Sequence, residues 1–462
     1  MMNKEISFSN PGSVYFCGIG GISMSGLAMI LSSRGFKVYG SDSRSSEVTD
    51  KLIEEGIRVF IGQSADNLTA VSSIDYFVYT AAVHTDNPEY QKALEMGLNM
   101  MTRAELLGRI MKEFPIPVAV AGTHGKTTTS SMLSQILLEA DADPTLSIGG
   151  ILSSIGGNTR IGHSPLFVAE ACEYTNSFLS FFPKISIILD IDADHLDFFK
   201  DLQDIRNSFR KFAGLLPDDG TLIIGKDIED LDEITDGLTC NIVTFGLDTA
   251  SDYYADNISY NDMAIPSFTI HAKGHADRRV TLKVPGRHNI LNALAAAAAA
   301  DLCGQEEYVS QGLGAFEGTN RRFQYKGEVD GLTIVDDYAH HPTEIRATLA
   351  AASACNKNKL WVVFQPHTYT RTQALMDEFA NALCLADEIV LADIYAARET
   401  DDLGISSRTL KARIESLGHS CHYAPSFDEI EKFLLKNCTK GDLLITMGAG
   451  DVYKIGDHLL GK

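Results

Sequence analysis

The sequence predicts an α/β protein of three units, each alternating strand and helix around a parallel sheet. Three observations carry this prediction. Short apolar runs such as SVYFC, PVAVA and LWVVF recur along the chain, and helical apolar spacing follows most of them. That alternation belongs to helices covering a parallel sheet. The length, 462 residues, exceeds one ordinary domain and suggests two to four. Two breaks interrupt the alternation: MKEFPIP at Met111–Pro117, with two prolines, and the stretch Gly318–Phe323.

The elements are expected in this order. Ser13–Cys17 reads as a strand, Ile22–Ser33 as a helix with Leu27, Ile30 and Leu31 on one face, and Phe36–Gly40 as the next strand. Asp75–Thr80 is a later strand of the same sheet, and the unit ends near residue 113. The second unit opens with strand Pro117–Ala121 and helix Thr127–Leu138. Leu166–Ala169 and Ile185–Leu189 read as strands, and Ile290–Asp301 as a closing helix. The third alternates strand Leu332–Val335, helix Thr343–Ala352, strand Leu360–Phe364, helix Thr372–Leu385, strands Glu388–Ala392 and Leu443–Thr446, and a last helix. No short-period repeat or low-complexity tract appears.

Composition narrows the function. The formal charge of −22 disfavours a nucleic-acid role, which needs a basic face. No apolar run approaches the roughly 18 residues of a membrane span. The start of the chain, MMNKEISFSNPGS, has no apolar signal region. Eight scattered cysteines form no C-x-x-C pair, as expected of incidental thiols in a reducing cytoplasm.

Two glycine loops point to phosphate chemistry. In FCGIGGISMSG, Gly18, Gly20 and Gly21 stand between a strand and a helix, where the backbone can approach a diphosphate. Ser23 stands where a dinucleotide fingerprint wants glycine, so a tight turn, a dinucleotide site and another diphosphate nucleotide all remain open. Asp42 ends the next strand, where an acid can contact a ribose or base. In VAVAGTHGKTTTSS, Gly122, Gly125, Lys126 and Thr127 supply what a triphosphate needs: free backbone N–H groups, a cation and a hydroxyl for Mg²⁺. The longer form of that loop wants glycine at position 120, and Val120 stands there.

Further polar clusters sit at strand ends, which face the crevice of an open α/β sheet. Glu170 and Glu173 follow LFVA, and Asp190, Asp192, Asp194, His195 and Asp197 crowd ILDIDADHLD. Carboxylates suit Mg²⁺, whereas His195 alone reads as structural. His288, Asn289 and Asn292 open a helix, where the asparagines either pair with a base edge or cap. Arg321 and Arg322 could clamp a phosphoryl group. DDYAHHPTE (Asp336–Glu344) and QPHTYTRT (Gln365–Thr372) add His340, His341, His367 and Arg371.

Together these residues resemble the Mur ligase family, from Gly18 to Gly450. The resemblance rests on GIGGISMSG, NPE at Asn87–Glu89, AGTHGKTTT, DHLD at Asp194–Asp197, PGRHNILNA, RRF, DDYAHHPTE, QPHTYTRT, DIYAARE at Asp393–Glu399 and MGAGD at Met447–Asp451. It implies a Rossmann-like UDP-substrate domain over 1–113, a central P-loop mononucleotide-binding ATPase domain over 114–321, and a Rossmann-like domain over 322–462 that closes over an amino acid. The implied substrates are UDP-N-acetylmuramate and L-alanine, with ATP and Mg²⁺. The lactyl carboxylate would be phosphorylated and the acyl phosphate then attacked by the amine. A recycling ligase that attaches a whole murein peptide is the alternative. The oligomeric state, monomer or homodimer, is left open.

The resemblance also implies roles. Gly18, Gly20, Gly21 and Asp42 would hold the UDP moiety. Gly122, Thr123, His124, Gly125, Lys126, Thr127 and Thr128 would form the ATP phosphate loop, with Asn292 at the adenine and Arg322 on a phosphate. Thr127, Glu170 and His195 would ligate metal. Tyr338, His340 and Arg371 would serve the amino-acid side, and Arg371 would clamp its carboxylate. His341, with Asp336 as the other candidate, would take the proton of the amine. Three stretches depart from the commoner family pattern: AEACEYTN, LDID and PHTYTRT.

Overall fold

The computed structural model describes residues 6–80, 82–196, 198–397, 399–400 and 403–462. It contains three sheets. The first is wholly parallel, in the order Arg58–Ile61, Lys37–Asp42, Ser13–Cys17, Tyr76–Tyr79, Asn99–Thr102. The chain runs outward from Ser13–Cys17 to either side, so the loop after that strand lies at the topological switch point. Every residue of Ser13–Cys17 is buried, as its apolar run requires.

The middle sheet has ten strands. Its centre is parallel: Ile116–Ala121 lies between Ile185–Ile188 and Leu166–Glu170. Helix His288–Leu302 packs on helix Lys126–Glu139 behind it, and Ala293–Ala300 are completely buried. The alanine run is therefore a spacer: small side chains let two helices and a sheet approach closely. One edge departs from the parallel pattern. Tyr253–Tyr260, Pro266–Ala272 and Arg278–Thr281 form an antiparallel ladder, which was not expected from the sequence.

The third sheet runs Gln324–Val329, Leu332–Asp337, Leu443–Met447, Leu360–Phe364, Glu388–Leu391, Cys421–Tyr423, antiparallel only at its first pair. The single helix expected over Thr372–Leu385 is two, Tyr369–Ala374 and Met376–Leu383, because Leu375 sits at φ −114 and ψ 27, outside the helical region.

One apolar cluster runs without interruption from the first unit, through Phe16, Leu106 and Phe114, into Phe167, Phe178 and Phe212 of the middle unit. The first two sheets thus share a core, while the third has cores of its own. Among the described residues no helix is long and apolar enough to cross a membrane.

Candidate active site

The loop after strand Ile116–Ala121 adopts backbone that only glycine holds easily. Gly122 lies at φ 139 and Gly125 at φ 80. A Cβ on Gly125 would stand 2.5 Å from Asn292 Oδ1, and one on Gly122 would stand 2.8 Å from Leu189 Cβ. Gly125 is the N-cap of helix Lys126–Glu139 and no side chain caps that helix. Its first N–H groups are left for an anion.

Lys126 folds back over the loop. Its Nζ donates to Gly122 O at 2.6 Å, Thr123 O at 3.0 Å and Glu173 Oε2 at 3.0 Å. Burial disfavours the ammonium, but the Glu173 carboxylate, itself 2% exposed, overrides it and raises the Lys126 pKa. Thr127 Oγ1 donates to Glu170 Oε2 at 2.8 Å, and Gly149 N donates to the same oxygen at 3.0 Å.

The acidic strand end meets both the loop and the third unit. Asp190 Oδ1 accepts from His124 N at 2.8 Å, and Thr123 Oγ1 accepts from Asp192 N at 2.9 Å. Asp192 Oδ2 lies 3.3 Å from His124 Nε2 and accepts from Thr343 Oγ1 at 2.6 Å. Burial works against a charged His124, yet Asp192 and Glu344 push its pKa up to about 10. Two residues on, Asp194 Oδ1 accepts from Arg371 Nη2 at 2.9 Å. His195, at φ 55, packs against Tyr174 with ring centroids 4.6 Å apart and the rings tilted by 34°. Asp197 lies outside the described residues, as does Arg398 of DIYAARE.

The two proposed bases are both occupied. His341 Nε2 lies 3.2 Å from Ala193 O and so carries the proton, while Nδ1 accepts from Thr343 N at 3.3 Å. Asp336 is fully buried, held by Arg321 Nε at 2.9 Å and Thr446 Oγ1 at 2.8 Å. In this conformation the His341 ring has no free lone pair for an amine, and Asp336 is shut away from one by its burial. Burial raises the neighbouring Asp337 to about 6, against the pull of Arg322. Arg322 Nη1 lies 3.4 Å from Glu344 Oε1. Tyr338 packs under the Arg321 and Arg322 guanidinium groups, and His340 Nδ1 lies 3.1 Å from Tyr338 O.

Two cavities divide these residues. One, of about 190 Å³, is lined by His124, Gly125, Thr128, Asn292, Arg322 and Glu344, among others. The other, of about 450 Å³, is lined by Tyr174, Asp194, His195, His367, Arg371 and Glu399, among others. Tyr338 and His340 line neither. Gly18, Gly20, Gly21 and Asp42 sit in the first unit. There Gly18 N and Ile19 N donate to Ser41 O at 2.9 and 2.8 Å, and Gly20 N donates to Asp42 Oδ2 at 2.9 Å. Asp42 is thus engaged by the turn itself.

Three family models match in succession: Mur ligase family, catalytic domain, over residues 13–115; Mur ligase middle domain over 120–300; and Mur ligase, glutamate ligase domain, over 321–450. A UDP-N-acetylmuramate–L-alanine ligase of Lachnospira eligens is 57% identical over 458 residues, 99% of either chain. The chain belongs to the Mur ligase family. Among solved Mur ligases, the UDP-N-acetylmuramate–alanine ligase of Thermotoga maritima superposes with a TM-score of 0.80 at 31% identity, covering 97% of this chain and 98% of that one. A murein peptide ligase of Psychrobacter arcticus gives 0.71 at 26% identity over the same shares.

In this Mur ligase, Glu173, read from the sequence as a carboxylate suited to Mg²⁺, is instead the partner of Lys126, and two further groups had no role in the sequence reading. Glu173 neutralises Lys126, and Thr343 and Glu344 join the third unit to the loop. Their signal was their place inside EACEY and HHPTE, but the partners are remote in sequence. Asn292 does not cap its helix. It donates to Asn289 Oδ1 at 3.0 Å and accepts from Thr129 Oγ1 at 3.2 Å. One further cluster has metal-ligand spacing: donor atoms of His124, Asp192 and His341 lie within 4.8 Å of one another. A His124 held protonated has no lone pair for a metal on the Asp192 side, so the group reads as an ionic contact between units.

Proposed function

We propose that the chain joins L-alanine to UDP-N-acetylmuramate with cleavage of ATP to ADP and phosphate, in the cytoplasm. The observation that carries this reading is the segment Asp192–Asp194. Asp192 touches His124 and Thr343 of the smaller cavity, and Asp194 touches Arg371 of the larger. A triphosphate loop and an arginine-bearing pocket are thus neighbours, as a two-step acyl activation requires. The near-full-length identity to an alanine-adding ligase names the substrates.

The chemistry follows from the residues. A carboxylate is a poor acyl donor, because its leaving group would be an oxide. An oxygen of the muramate carboxylate attacks the γ-phosphorus, the bond to the β-phosphate oxygen breaks, and ADP leaves. The alanine nitrogen then attacks the acyl carbon. The acyl–oxygen bond breaks, inorganic phosphate leaves, and the amine gives up its proton. Lys126 and the loop N–H groups hold the phosphate oxygens while charge moves. Arg322 adds charge from the hinge side. In the smaller cavity Asn292 keeps one amide N–H beyond its bond to Asn289, which suits a base edge. Arg371 takes the alanine carboxylate. The Thr127 hydroxyl and Glu170 carboxylate are hard oxygen donors beside the loop and fit Mg²⁺; His195, a ring nitrogen packed against Tyr174, fits it less well. Mg²⁺ held there would neutralise charge on the phosphate oxygens. Exclusion of water protects an acyl phosphate, and the contacts between middle and third units supply it.

The test is ADP release with UDP-N-acetylmuramate, Mg²⁺ and a panel of amino acids, with a murein tripeptide alongside. Turnover is expected to need all components and to be best with L-alanine. Faster turnover with the tripeptide would transfer the chain to the recycling reaction.

A further inference from the structure

Helix Pro342–Ser353 touches the middle unit at both of its ends. At twelve residues it spans about 18 Å. Its first turn lies at the phosphate loop, where Thr343 Oγ1 donates to Asp192 Oδ2 and Glu344 Oε1 lies 3.7 Å from His124 Nδ1. Thr343, Glu344, Ala347 and Thr348 line the smaller cavity. Just past the last turn, Asn356 N donates to Asp262 O at 2.9 Å. This second contact has no part in the chemistry above.

Asp262 stands at the tip of the antiparallel ladder, in the connection Asn261–Ile265 between strands Tyr253–Tyr260 and Pro266–Ala272. The tip is tightly built. Asn261 Oδ1 accepts from Met263 N and Ile265 N, both at 3.0 Å, and Ala264 N donates to Asn261 O at 2.9 Å. Ala264 lies at φ 55, a left-handed backbone uncommon for a residue with a Cβ. It is 2% exposed and shares one apolar cluster with Val335, Leu349 and Ala352 of the third unit. Among the described residues it is the only buried member of that core from the middle unit. Its carbonyl also accepts from Gly286 N at 3.2 Å, just before helix His288–Leu302, which brings Asn289 and Asn292 to the smaller cavity.

One loop therefore holds the far end of one cavity wall and the lead-in to another. The chain passes from the middle unit to the third near Arg321, and such a crossing leaves the orientation of the third unit open. A buried alanine and a backbone hydrogen bond at one end of a helix fix where its other end falls. We propose that the tip Asn261–Ile265 sets the first turn of helix Pro342–Ser353 against the phosphate loop, with Ala264 as the positioning residue. That this turn serves phosphoryl transfer rests on the proposed function; the docking does not.

The test measures kcat for ADP release and amide hydrogen exchange in the full chain. Ala264→Asp puts a carboxylate into an apolar core and undocks the tip. A displacement of about 1 Å at reacting groups costs up to about 100-fold, so kcat should fall about 10- to 100-fold. UDP affinity, a report on the first unit, should not change. Exchange should quicken at 341–345 as well as at 352–357, whereas a tip with a merely local role would alter only the second stretch. Ala264→Gly keeps the backbone and its carbonyl contact and should restore most of the rate. Should Ala264→Asp fail to fold, replacing Asn261–Ile265 by Asn-Gly, a two-residue hairpin turn, removes the tip and keeps the ladder, with the same two changes expected. Unchanged exchange at 341–345 overturns the proposal whatever the activity, and so does an unchanged kcat in a variant whose exchange there has quickened. Wild-type chain that shows no alanine-dependent ADP release would instead sink the functional reading, and quickened exchange at 341–345 in the variant would leave the docking standing.

Discussion

The two glycine loops share a frame and differ in content. Each follows a buried strand and leads into a helix with no side-chain cap. Gly18–Gly21 is held from below by Ser41 and Asp42, and no cation lies within the turn. Gly122–Thr127 carries Lys126, pinned by Glu173, and a hydroxyl pinned by Glu170. The glycines differ as well. Gly18 has nothing within 4 Å of a would-be Cβ, whereas Gly125 faces Asn292 at 2.5 Å. The first loop is open at Gly18 and packed at Gly20, where a Cβ would stand 2.8 Å from Asp42 Oδ2. The second is packed at both Gly122 and Gly125 and has charge inside, which suits the phosphoryl transfer proposed for it.

Substitutions should separate the two, the largest effect first. Lys126→Ala should lower kcat roughly 10³-fold, the scale of losing a preorganised donor. UDP affinity should stay within about twofold, as ADP release and calorimetry would show; loss of UDP binding in a folded variant would erase the distinction between the loops. Gly125→Ala adds left-handed strain of about 1–2 kcal/mol to the contact with Asn292, so ATP affinity should fall roughly 10²-fold. Asp42→Ala leaves Gly20 N without its acceptor, and UDP affinity should fall about tenfold with ATP untouched. Gly18→Ala incurs strain alone and should cost about 1 kcal/mol of UDP binding, well below its counterpart at Gly125.

The smallest expected effect concerns pH and lies on the side of the second loop. Burial, with His340 and Arg371 nearby, pushes His367 down to about 4, so its neutral Nδ1 accepts from Arg371 at 3.2 Å. A depressed folded pKa gives stability that is present above the ordinary histidine value and lost as pH falls through about 4. His367→Asn should flatten the melting temperature between pH 7 and 4, by roughly 1 kcal/mol after allowance for screening. An unchanged slope would place the acid sensitivity elsewhere.

Much of this architecture is legible in the amino-acid sequence. Buried parallel strands write themselves as apolar runs, so Ser13–Cys17 and Leu360–Phe364 are found with the expected ends. The antiparallel ladder from Tyr253 is not, because its strands expose one face and carry Asn, Asp and Ser that read as loop. The break at Leu375 also leaves no mark, since leucine is a good helix former. At the site, residues within one motif are legible and pairs between motifs are not. Asp194 and Arg371 are 177 positions apart, and only the packing of the third sheet brings them together.

That last pair has a consequence for what the pocket accepts. Arg371 already grips a carboxylate, and that carboxylate belongs to the protein. A tethered rival of this kind acts at high effective concentration, so an incoming acid must win an exchange and cannot simply fill a vacancy. A bare carboxylate such as acetate brings nothing else and loses the exchange. Under the proposed function an amino acid brings an ammonium group as well, and the Asp194 it releases is an anion that would receive it. That exchange would select zwitterions over plain acids before the size of any side chain is consulted.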